Sequence, residues 1–215
     1  MEVYQTEEQQ VDAIRSYWRQ NGNYIIAGLA IGLAGYVGFN LYKDSIFAEE
    51  IARSDAYQVV VDKIDTELVG FQVAGDDFIV ENTQTSYATL AALSLAKETA
   101  SHKDWIKTAS YLTTAIENAP NEGVKAIATV RLARVQIQLA EFDKALATLM
   151  VKLPASFNAS VEEIKGDAYL KQGKTEQART AYQLAIAADG LTSSPVLQMK
   201  LDNLAQTINL NGAVK

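Results

Sequence analysis

The chain has 215 residues, a net charge of −7, one histidine and no cysteine. Disulfides, cysteine-ligated zinc, a thiol nucleophile and a lipoprotein cysteine are excluded, and a histidine-based zinc site is implausible. No basic patch offers to neutralise phosphates and no polybasic run meets anionic lipid, which argues against nucleic acid as a partner.

Residues 1–23 read as a short polar tail. Val11, Ile14 and Trp18 recur at helical spacing with Asp12, Arg15 and Arg19 between them, the pattern of a short surface helix. Asn21-Gly22-Asn23 would be the elbow that ends it. Residues 24–42, YIIAGLAIGLAGYVGFNLY, hold no charge. As a helix they would extend about 28 Å, close to the hydrocarbon thickness of a bilayer. Tyr17, Trp18 and Tyr42 stand where interfacial aromatics belong. The run is too long for a signal-peptide core, and Lys43-Asp44-Ser45-Ile46-Phe47 offers no small-x-small cleavage site. One transmembrane helix is therefore predicted. Gly28 and Gly32 form GxxxG, Ala30, Ala34 and Gly38 repeat the small spacing, and Gly28, Gly32 and Gly35 are the candidate packing face in lipid. Orientation is not readable from charge, because Arg15 and Arg19 before the span balance Lys43 and Arg53 after it.

Residues 43–85 are predicted to be a linker helix and a degenerate repeat. From Asp44 to about Leu68, Ile51, Ala52, Ala56, Val59, Val60 and Ile64 give a helical stripe. Gly70 to Asp77 reads as a break, followed by a short segment from Phe78 to Thr85. Residues 86–190 then read as three helix pairs: Ser86–Ala100 with Asp104–Glu117, Val124–Leu139 with Phe142–Lys152, and Ser160–Gln172 with Thr175–Ala188. Pro120, Pro154 and Gly190 would end them in turn. Residues 191–215 are predicted to be a capping helix, starting at Pro195 and running to about Ile208, with a fraying tail.

The pairs repeat. Gly166, Tyr169, Gly173, Ala178, Tyr182 and Ala185 have the spacing of a tetratricopeptide repeat, in which small residues let two helices cross closely. The same register falls on Ala133, Gln136, Ala140, Ala145, Leu149 and Lys152, and before that on Ala96, Thr99, Lys103, Thr108, Leu112 and Ala115. The predicted fold is all-α: an N-terminal transmembrane helix followed by a tetratricopeptide-like solenoid.

No catalytic, cofactor or metal set emerges. His102 is predicted to lie in an exposed turn, and Asp76-Asp77 with Glu81 to form an acidic solvated turn without calcium-loop spacing. Glu162-Glu163 suits a helix first turn, and Asn158 in Asn158-Ala159-Ser160 suits a helix cap. What remains is a surface. By repeat register Lys97, Arg134, Gln138, Asp167 and Lys171 should face the groove lined by the first helices, a mix of both charges suited to a peptide or protein. The reading is a non-enzymatic scaffold. A membrane-tethered regulator that sequesters a signalling protein is the alternative on the same scaffold.

The chain resembles the YfgM family of ancillary SecYEG translocon subunits over nearly its full length. The resemblance rests on Glu2-Val3-Tyr4, Gln10-Val11-Asp12 and Asn21-Gly22, on the single anchor, on the run Val130-Arg131-Leu132-Ala133-Arg134-Val135-Gln136-Ile137-Gln138-Leu139, and on Leu197-Gln198-Met199-Lys200-Leu201-Asp202-Asn203-Leu204. It implies an inner-membrane protein with a cytoplasmic N-terminus and a periplasmic repeat domain. It also implies SecYEG and the periplasmic chaperone PpiD as partners, a part in handing over secretory proteins, and no catalytic residues or cofactors.

Overall fold

The computed structural model describes residues 7–64 and 70–212, with side chains to residue 204. The described residues are helical, with no strand among them. They fall into two units, Met1–Ala52 and Arg53–Lys215.

The first unit lies on α1, Glu7–Ile64. Its most apolar stretch is long enough to cross a membrane, and none of that stretch is buried by protein. The expected elbow at Asn21-Gly22-Asn23 is absent, because α1 runs straight through it. Trp18 lies over the bare backbone of Gly22, 3.4 Å from where a Cβ would stand, and the Asn21 amide donates to the Tyr17 carbonyl at 3.2 Å. Residues that usually turn a chain are here held in helix by their own preceding turn. Gly28, Gly32 and Gly35 share one face at i, i+4 and i+7, with open space beyond each. Glu2-Val3-Tyr4 lie outside the described residues.

In the second unit the end of α1 turns a narrower stripe inward than its sequence suggests. Val60 is buried and Tyr57 and Ile64 pack against the core, whereas Val59 is exposed. The predicted end near Leu68 lies outside the described residues. The expected break at Gly70–Asp77 is instead part of α2, Gly70–Glu81. Phe71, Gly75, Phe78 and Ile79 are its buried face, a 3.6-residue stripe. Gly75 belongs to that face because a Cβ there would stand 2.7 Å from a Leu95 methyl. The Asp76-Asp77 pair is the polar side of this helix, not a turn. Tyr57 joins the cluster with its ring tilted, 6.2 Å from Phe78 and 6.0 Å from Tyr87, and its hydroxyl lies 3.2 Å from Ser94 Oγ.

Three antiparallel pairs follow: α3 (Ser86–Ser101) with α4 (Trp105–Glu117), α5 (Glu122–Gln138) with α6 (Phe142–Thr148), and α7 (Asn158–Lys171) with α8 (Thr175–Ala187). Thr85, Asp104 and Asn121 cap α3, α4 and α5 through side-chain oxygens. Helix α6 stops four residues short of the expected Lys152, and a 3-10 turn at Ala155–Phe157 leads into α7. Asn158 is the first residue of α7, not its cap; Phe157 holds that position without a side-chain bond. Gly190 does not end a helix but opens the short turn α9, Gly190–Ser193. The last helix, α10, is Leu197–Gly212, so it begins two residues past Pro195 and runs beyond Ile208. Of the tail, residues 213–215 lie outside the described residues.

Each pair turns on the same device. Lys103, Ala140 and Gly173 occupy the same repeat position and share a left-handed backbone, with φ of 61°, 59° and 75°. The N–H of the next residue reaches back to the carbonyl of Thr99, Gln136 or Tyr169 at 2.9, 2.8 and 2.9 Å. This is the Schellman closure, and it is where glycine is preferred. Only the third turn has glycine. Replacing Ala140 by Gly should therefore raise stability by about 1 kcal/mol, since a Cβ is disfavoured at positive φ. Chemical denaturation of the full chain in detergent checks this, with Gly173→Ala moving the opposite way.

Beneath the turns, small residues set the crossings. Ala96, Ala115, Ala133, Ala145, Ala178 and Ala185 are buried at the repeat positions. Thr99 and Thr108 face one another across the first pair with hydroxyls 3.0 Å apart. In the third pair Gly166 receives the ring of the fully buried Tyr182.

Candidate protein-binding groove

Helices α3 and α5 both pack on α4 and are parted by an open cavity of about 520 Å³. Its floor and walls are apolar, with Leu90, Leu93, Ala96, Leu112 and Val135 among them. Lys97 stands on the α3 wall, and Arg131 and Arg134 on the α5 wall. Repeat register had singled out Lys97 and Arg134, and both line this cavity. Arg131 was missed, although it lies three residues before Arg134 and so on the same helical face. No aspartate or glutamate lines the cavity. Gln138 is exposed near the end of α5, outside the lining, and Lys171 is exposed at the end of α7.

Asp167 departs from the expectation of a free groove residue. Its carboxylate accepts from the Tyr182 hydroxyl at 2.7 Å and from Lys200 Nζ at 2.8 Å on both oxygens. Lys200, from α10, also donates to Glu163 Oε1 at 2.8 Å, and Ser194 donates to the same oxygen at 2.9 Å. Glu163 is therefore a partner of the capping helix and not a first-turn acid, since α7 begins five residues earlier. The mixed charge expected of the groove resolves into two parts: a cationic cavity at the first two pairs, and an acidic face of α7 already engaged by Lys200.

Burial, the Asp167 hydrogen bond and the Asp167 and Glu163 charges all push the Tyr182 phenol well above its ordinary range. Burial alone would lower Lys200, but hydrogen bonds to Asp167 and Glu163 outweigh it and leave the ammonium above the usual lysine value. Tyr111 is raised by burial, by its hydrogen bond to Asp76 and by the charges of Asp76 and Asp104. All three groups keep their protons in the folded chain when the unfolded chain has begun to release them. Their contribution is complete below the unfolded values of about 10 and declines as pH rises beyond them, by about 1.4 kcal/mol per pH unit per group. The melting temperature should thus fall above about pH 10, and Tyr182→Phe and Tyr111→Phe should each flatten the decline when followed by circular dichroism.

His102 caps α3 and hydrogen-bonds Glu98 Oε1 at 3.0 Å. No cluster of three or more histidine, aspartate or glutamate side chains suited to a metal occurs among the described residues.

An apolar helix of membrane-crossing length, joined in sequence to helix pairs that turn and cross at repeat-spaced positions, defines an anchored tetratricopeptide-like protein. The profile of the tetratricopeptide repeat-like domain family matches residues 15–206. The ancillary SecYEG translocon subunit of Escherichia coli is 31% identical over 206 residues, covering 95% of this chain and 100% of that protein. The subunit of the same name from Haemophilus influenzae is 29% identical over 92% of this chain and 97% of its own length, and that of Neisseria gonorrhoeae 25% over 95% and 100%. The chain belongs to the family of ancillary SecYEG translocon subunits.

Proposed function

We propose that this chain is a non-catalytic ancillary subunit of the SecYEG translocon in the bacterial inner membrane. Residues 24–42 cross the bilayer once, with residues 1–23 in the cytoplasm and the domain after the span in the periplasm. Residues 43–85 link the anchor to the repeats through a degenerate repeat, 86–190 carry the repeats, and 191–215 cap them. Gly28, Gly32 and Gly35 give the span a face for close packing against the channel's helices. The repeat domain holds the periplasmic chaperone PpiD beside the channel exit and helps hand over emerging secretory proteins. Tethering does the mechanistic work, because it turns weak contacts into frequent ones by raising effective concentration.

The observation that carries this reading is end-to-end similarity to proteins named for that role, anchor and repeats together. The test is purification of the full chain from membranes in mild detergent with partners identified by mass spectrometry. Channel subunits and a periplasmic chaperone are expected; recovery of neither would overturn the reading. Orientation has its own check. The chain has no cysteine, so His102→Cys supplies a single exposed thiol, which a membrane-impermeant maleimide should label in spheroplasts without lysis.

A further inference from the structure

Lys97, Arg131 and Arg134 are exposed, and none takes part in a hydrogen bond or ion pair among the described residues. Elsewhere in the domain some bases are paired three residues along the chain, as exposed Lys144 with Glu141 and half-buried Lys165 with Glu162 and Arg179 with Glu176. The whole chain carries −7. A cation cluster around an apolar cavity in so acidic a chain is a local reversal of field, and it favours an anionic partner at that place alone.

The walls narrow the partner's form. They are helices whose backbone groups are bonded internally, so the groove offers no strand edge to extend and recognition falls to side chains. A cavity of about 520 Å³ takes a few large apolar side chains. Lys97 on one wall and the two arginines on the other put positive charge on both sides of whatever lies between. We propose that the α3–α4–α5 groove binds a short amphipathic helix of a partner protein, its apolar face in the cavity and its aspartates or glutamates against Lys97, Arg131 and Arg134. This rests on the reading of the domain as a protein-binding scaffold and specifies the chemistry of its ligand.

The test uses the full chain in nanodiscs of neutral lipid and two fluorescein-labelled helical peptides with one leucine face in common. One is flanked by glutamates and the other by lysines. Fluorescence anisotropy should show the glutamate peptide binding about tenfold or more tighter, with the difference shrinking as salt is raised. Arg131→Glu with Arg134→Glu should reverse the preference, and recovery of the lysine peptide by this variant shows that it is folded. Equal binding of both peptides, or no reversal, would overturn the proposal. So would binding of anionic phosphatidylglycerol vesicles by the full chain in the same neutral nanodiscs, if the reversal abolished it while neither peptide bound. Copurification separates this inference from the wider one. If the charge-reversed chain and its parent both recover channel subunits while the peptide preference is absent, the groove assignment alone falls. If neither recovers them, the translocon reading falls on its own.

Discussion

Gly166→Ala should cost the repeat domain about 3 kcal/mol, the upper end of what overpacking exacts. Gly166 lies in the middle of α7, where alanine is ordinarily the better helix former by about 1 kcal/mol. The sign reverses here because of Tyr182. Its ring is fully buried and rests against the Gly166 backbone, so a new methyl would fall onto the ring edge. The ring has little freedom to withdraw, since its hydroxyl is tied to Asp167. A loss of this size should lower the melting temperature by roughly 6–12 °C in a domain of this length. Thermal unfolding by circular dichroism measures it. Pairing the substitution with Tyr182→Leu, which removes the ring, should make the double variant's loss smaller than the sum of the two single losses. Strict additivity would refute the contact as the cause.

Lys200→Met should cost about 2 kcal/mol, less than the full penalty for breaking a buried pair because the site is partly wet. Methionine keeps most of the side-chain length and volume, so the loss is chiefly one of charge. Without the ammonium, Glu163 and Asp167, side chains 12% and 32% exposed, face one another with only Ser194 and Tyr182 among the described residues to donate to them. Lys200 also lies 5.8 Å from the centre of the Tyr182 ring, a further contact with the same residue. Glu163→Gln added to Lys200→Met should recover part of the loss by removing one of the opposed charges. Hydrogen exchange should show the effect concentrated in α10, which is held to α7 by this cluster. Uniform destabilisation, with α10 protected as before, would contradict the assignment.

The repeat register was legible because it rests on local composition. Small residues at a fixed offset, such as Ala133 and Ala145 or Gly166 and Ala178, mark the helix crossings wherever the chain travels. The span was legible for a similar reason, since nineteen residues without charge require no tertiary knowledge. Gly75 and Asn21-Gly22 misled because glycine has two uses. At Gly75 the missing Cβ makes room for Leu95, a residue twenty positions on, and nothing nearby in sequence announces that. At Gly22 it makes room for Trp18, and the spacing of four was the available sign. The groove was half legible. Register put Lys97 and Arg134 on the first helices, where both line the cavity, yet it assigned Asp167 the same role. What removed Asp167 was Lys200, thirty-three residues away and in a different element. Long-range pairing between charges leaves no periodic trace.

The left-handed turns at Lys103, Ala140 and Gly173 are separated by 37 and 33 residues. The difference of four is close to one turn of α-helix, about 3.6 residues. Helix α4 is six residues longer than α6 and α5 three longer than α7, and a connection five residues shorter leaves the net four. Within one helix, an extension of four residues returns each later side chain to within about 40° of its bearing, so an inward face stays inward. A change of one or two residues within α5 would swing Arg131 and Arg134 by about 100° or 200° relative to the residues before the insertion, whereas a change of four leaves their heading almost untouched. Within α5, then, the helix itself sets the step by which its length can vary without turning the groove's cations away.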